Sequence, residues 1–87
     1  MRRVAWQDSV IDDILELLAR DQRQLRRIIV AIRTYAREGR GDVRKLQGRP
    51  GEWRLRVGDW RVLFTLESEP DEHVSVAAIR LRRDAYD

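Results

Sequence analysis

Arg54, Arg56 and Arg61 are the residues of this sequence best placed to do chemistry. They stand in the run from Glu52 to Phe64, EWRLRVGDWRVLF, where charged and apolar residues alternate. Alternation puts one set of side chains on each face of a strand. If Gly58 and Asp59 form a two-residue hairpin turn, Val57 lies opposite Trp60 and Arg56 lies opposite Arg61. The three arginines then share one face, and Trp53, Leu55, Val57, Trp60, Val62 and Phe64 share the other, which meets the core. Like charges directly opposite each other destabilise a sheet unless an anion sits between them. The chemistry that fits this spacing is phosphate binding on an open sheet face. The competing reading is that acids such as Glu52 and Asp59 neutralise the arginines, although few acids share their parity. On the phosphate reading, Arg61→Ala abolishes activity and leaves the fold intact.

Charge distribution points the same way. The net charge is only +3, but Arg44 to Arg61 holds six basic and two acidic residues, whereas Val62 to Ile79 holds four acidic residues and no lysine or arginine. A localised basic patch steers polyanions to one place. The chain has no cysteine, which removes disulfides, thiol nucleophiles and cysteine metal sites. No metal and no cofactor are implied. The opening MRRVAWQDSV lacks the apolar run of a leader, and no segment approaches the roughly 20 apolar residues that span a bilayer. The expectation is a soluble cytoplasmic protein with no membrane partner. His73, beside the acidic stretch SEPDE, is expected at the surface.

The elements that position the arginines follow from periodicity. Residues 2–6 (RRVAW) predict a short first strand. Asp8 or Ser9 is placed to cap a helix whose buried stripe is Ile11, Ile14, Leu15 and Leu18. Asp21 followed by Gln24 resembles a capping box. It opens a second helix with Leu25, Ile28, Ile29, Ile32 and Tyr35 or Ala36 inward, which Gly39 ends. Three strands follow: around Trp53–Val57, around Trp60–Leu66, and His73–Leu81. Helices first and a meander afterwards predict one α+β domain over residues 1–87: an N-terminal strand, an antiparallel two-helix hairpin and a three-stranded antiparallel meander, with the helices on one face of the sheet. The three tryptophans share the parity of the aliphatics and belong to the core or its edge.

Read in order, the motifs form a pattern. Lys45-Leu46-x-Gly48-x-Pro50, then Glu52-Trp53-Arg54-Leu55-Arg56, then Gly58-Asp59-Trp60-Arg61-Val62-Leu63-Phe64, and last Arg82-Arg83-x-x-Tyr86 resemble the RelE/ParE superfamily of toxin–antitoxin toxins over nearly the whole chain. The RelE branch cleaves messenger RNA in the ribosomal A site, and the ParE branch inhibits DNA gyrase without being a nuclease. The RelE branch, the favoured reading, implies a ribosome-dependent endoribonuclease that inhibits translation, with messenger RNA on the ribosome and a cognate antitoxin as partners in a hetero-oligomer. The alternatives are a non-catalytic gyrase inhibitor and a basic nucleic-acid-binding module.

Carried over by position, the resemblance implies catalytic roles for Arg54, Arg56, Arg61, Arg82 and Tyr86 and RNA contacts for Lys45, Arg80 and Arg83. The reaction would be metal-independent attack of a 2′-hydroxyl on its adjacent phosphate. Arginines supply positioning and charge stabilisation, but a guanidinium with a pKa above about 12 is a poor base. RelE has lysines where Arg54 and Arg56 stand, and many relatives have histidine where Leu81 stands, so proton transfer falls to Tyr86 or to the ribosome. The neutralising antitoxin segment is expected to be acidic and partly helical, and to lie on the sheet side.

Overall fold

The computed structural model of the 87-residue chain describes residues 2–82. Its elements are β1 (Arg3–Trp6), α1 (Asp8–Arg20), α2 (Gln22–Glu38), β2 (Asp42–Lys45), β3 (Glu52–Val57), β4 (Trp60–Glu67) and β5 (His73–Leu81). The strands form one five-stranded sheet in the order β1-β5-β4-β3-β2, with β1 parallel to β5 and the other neighbours antiparallel. The α+β architecture is therefore as the periodicity predicts, with one strand more: β2 extends the meander to four strands. Among the described residues, no helix is long and apolar enough to cross a membrane.

Both helices pack on one sheet face. Val10, Leu17, Leu25, Ile28, Ile32 and Ala36 from the helices meet Leu55, Val57, Val62, Phe64, Val74, Val76 and Ile79 from the strands. A single residue, Asp21, separates α1 from α2, and its carboxylate accepts the Gln24 N–H at 3.2 Å, as the capping pattern predicts. Gly39 ends α2 at φ 74°, a left-handed conformation open to glycine at little steric cost.

The roll of α1 differs from the expected one. Val10 and Leu17 are buried, whereas Ile11, Leu15 and Leu18 are 41%, 56% and 45% exposed. The helix is apolar over two overlapping stripes, and polar contacts select between them. Beyond Trp6, which is the last partner of β5 on the β1 side, α1 takes over the open edge of β5. The Ser9 hydroxyl donates to the Ala77 carbonyl at 2.7 Å, and Asp13 Oδ2 accepts the Ile79 N–H at 3.0 Å. Ser9 and Asp13, four residues apart, must face the sheet, and Ile11, Leu15 and Leu18 are turned outward as a result. The helix starts after Gln7, whose side chain makes no capping bond; neither Asp8 nor Ser9 occupies the cap position.

The β4–β5 register slips between Leu63 and Phe64: Leu63 pairs with Ala78, but Phe64 pairs with Val76. Ala77 is the extra residue of a bulge. The slip explains why the inward apolar positions of β5 run 74, 76, then 79, and not at a constant period of two.

Candidate functional site

The hairpin forms as the alternation predicts. Gly58 adopts φ 60° in the turn, Val57 pairs with Trp60, and Arg56 pairs with Arg61. Arg61 in turn pairs with Arg80 on β5, and Arg56 with Asp42 on β2. Asp42, Arg56, Arg61 and Arg80 thus occupy one row across four adjacent strands. The next row places Arg44 beside Arg54 and Arg54 beside Leu63. These rows lie on the side of the sheet opposite the helices.

The face is not open in the way the sequence suggests. Arg54 is 5% exposed and Arg61 only 2%, while Arg56 is exposed. Arg54 Nη1 donates to the Asp42 carbonyl at 2.9 Å and to Asp42 Oδ1 at 3.3 Å, and an Arg61 Nη1 contact reaches the Trp60 carbonyl at 3.4 Å. A buried guanidinium without hydrogen-bond partners is costly, so both arginines, bonded as they are, help to hold the fold. This corrects the expectation that Arg61 could be removed at no structural cost.

The remaining residues assigned from the resemblance divide. Arg80 begins in the arginine row, but its Nη1 donates to Asp13 Oδ2 on α1 and, at 3.1 Å, to the Ile79 carbonyl. Arg82 is exposed just after β5, and its N–H bonds the Asp59 carbonyl at 2.7 Å, which ties the end of β5 to the hairpin turn. Lys45 is exposed but pairs with Trp53, the parity opposite to that of Arg54 and Arg56, so the fold does not bring it to their face. Arg83 and Tyr86 lie outside the described residues.

His73 is 7% exposed, not at the surface, and its Nδ1 lies 2.8 Å from the Asp71 carbonyl. It sits at the far end of β5 from Arg80, about 23 Å away at 3.3 Å per residue, too far to transfer a proton at the arginine row. Near it, the Arg3 guanidinium hydrogen-bonds Asp71 and holds that carboxyl below its usual range. Glu38 is lowered in the same way, first by Arg40 and then by Arg37. A depressed carboxylate keeps its pairing above its unfolded pKa and loses it as pH falls through the folded value, so both pairs open only in acid. Among the described residues, no group of three or more His, Asp or Glu side chains could hold a metal ion.

One surface was not found from the sequence. Val4 and Trp6 of β1, Ile11 and Ile14 of α1, and Ile29 of α2 line a groove of about 650 Å³ together with Arg2, Arg33 and Arg37. The signal that could have revealed it is the doubled apolar stripe of α1, more than one buried face can use.

A family model for the ParE toxin of type II toxin–antitoxin systems, parDE, matches residues 4–86. The chain belongs to this family of toxins. Solved structures agree on the fold of the family member described here. The YoeB/ParE toxin from Agrobacterium tumefaciens superposes with a TM-score of 0.75 at 24% identity, covering 91% of this chain and 97% of that one. The archaeal RelE–RelB complex from Pyrococcus horikoshii OT3 gives 0.72 at 23% identity over 97% and 98%. The RelBE2 toxin–antitoxin complex from Mycobacterium tuberculosis gives 0.72 at 20% over 93% and 98%. Among curated protein sequences, none matches this chain significantly.

Proposed function

We propose that this toxin is a ribosome-dependent messenger RNA endoribonuclease of the RelE type. The observation that carries the reading is the register: Arg56 and Arg61 stand opposite each other in one row of adjacent strands, while Arg80, the next position of that row, is turned away to Asp13. Such a row concentrates positive charge on a rigid sheet, where it can stabilise the charge that develops on phosphate. In the reaction, the 2′-oxygen bonds to phosphorus as the bond to the 5′-oxygen breaks. One proton leaves the 2′-hydroxyl and one reaches the departing 5′-oxygen. Arg54 and Arg61 hold the platform, Arg56 meets the phosphate, and Arg82 and Arg83 extend the contact. Tyr86 is the candidate for proton transfer, the role that the resemblance gives it. Induced expression with primer-extension mapping tests the proposal: cuts in frame with codons, dependent on translation, are expected. Intact transcripts together with inhibited DNA supercoiling would favour gyrase inhibition, the reading that the ParE family model and the burial of Arg54 and Arg61 support.

The same reading includes a cognate antitoxin. The solved relatives include toxin–antitoxin complexes from Pyrococcus horikoshii and Mycobacterium tuberculosis. For the docking surface, the groove beside β1 is better supported than the sheet side. The sheet face presents mainly exposed cations, whereas the groove combines apolar area with arginines. An acidic amphipathic helix gains both, with ordering entropy as its cost. Hydrogen exchange with the antitoxin bound should therefore show protection in residues 3–18 and 29–37. Protection confined to residues 52–67 would return the contact to the sheet.

A further inference from the structure

Along Ala77–Ile79, the edge of β5 is closed by a helix, and one carboxylate there has two tasks. Asp13 Oδ2 accepts both the Ile79 N–H, at 3.0 Å, and the guanidinium of Arg80. By register Arg80 belongs beside Arg61, yet its side chain is drawn over the strand edge to α1. We propose that Asp13 is a positioning residue, a built-in counter-ion that withholds Arg80 from RNA. The inference rests on the RNA-binding reading above.

Burial supports it. The Arg80 side chain is 41% exposed and that of Asp13 20%. The pair borders an open cavity of about 570 Å³ that also touches Trp60 and Leu81. A part-exposed ion pair is a weak lock, and there is room for the guanidinium to swing back to its row. A phosphate at Arg56 must compete with Asp13 for Arg80. The carboxylate therefore lowers RNA affinity while it closes the sheet edge.

Asp13→Asn separates the two tasks, because the amide oxygen still accepts the Ile79 N–H and only the charge is lost. Binding of a single-stranded oligouridylate should tighten by about fivefold at about 0.1 M salt, and the log–log salt slope should steepen by about 0.7, the signature of one added phosphate contact. Arg80→Ala should cancel the gain in the double variant and leave wild-type binding and slope nearly unchanged. If Arg80→Ala alone weakens binding severalfold and flattens the slope, Arg80 already serves the RNA and the proposal is wrong. That arm also decides the matter if Asp13→Asn does not fold. Should the wild type not bind oligouridylate at all, the RNA-binding reading fails separately, and elution from heparin, a generic polyanion, tests the counter-ion. Later elution of Asp13→Asn, abolished by adding Arg80→Ala, supports it, and equal elution overturns it.

Discussion

Phe64→Ala should unfold a large fraction of the protein at ordinary temperature. The ring is 1% exposed, lies 5.3 Å from the Tyr35 ring at a tilt of 51°, and sits where α2 meets the middle of the sheet. Truncating a buried phenylalanine costs about 3–5 kcal/mol. A domain of this length has a total stability of about 4–13 kcal/mol, and in so small a domain each kcal/mol moves the thermal midpoint by about 4–8 °C. The expected fall is thus at least about 12 °C in a melt followed by circular dichroism. Trp60, which would carry a similar cost if it were core, is only half-buried and borders the cavity beside Arg80. Trp60→Ala should cost about 1–2 kcal/mol, a part of the full-burial value. Equal losses at the two positions would show that Trp60 is core after all.

The contrast between these two aromatics marks what could be read from the residues. A strand period of two fixes which side chains share a face, so the hairpin register, the parity of Arg54, Arg56 and Arg61, and the inward aliphatics were all legible. The Asp21 cap and the Gly39 stop were legible because single residue types satisfy those backbone positions. Parity does not give depth. It placed Trp60 with Phe64 and Arg61 with Arg56, and in each pair one side chain is far more buried than the other. β2 was invisible because an edge strand of sequence DVRK has one apolar residue and hence no period to detect. The roll of α1 was misjudged because two apolar stripes compete on it, and the contacts that decide between them, Ser9 and Asp13 against β5, are about 66–68 residues apart in the chain. His73 looked exposed because its neighbours Asp71 and Glu72 are charged, yet as the first residue of β5 it lies between Arg3 on β1 and Glu67 on β4.

Arg56→Ala should remove activity and spare the fold, whereas Arg61→Ala should damage both. Arg56 is exposed, and among the described residues its side chain makes one long hydrogen bond, 3.4 Å, to the Gly58 carbonyl. Its loss costs little packing and should leave the thermal midpoint within a few degrees. On the nuclease reading it removes a donor to the developing phosphate charge, an effect of about a hundredfold or more in rate, which should appear as lost growth arrest and faded primer-extension stops. Arg61 is 2% exposed in the middle of the same row. Truncating it leaves buried polar surroundings uncompensated, at a cost of about 3 kcal/mol, so its melt should drop by about 12–24 °C. Lost arrest in Arg61→Ala alone therefore says nothing about chemistry, because an unfolded toxin is also inactive. Arg56 is the discriminating position. If Arg56→Ala folds and still arrests growth as strongly as the wild type, phosphate does not bind at the arginine row, and the buried arginines beside it are structural.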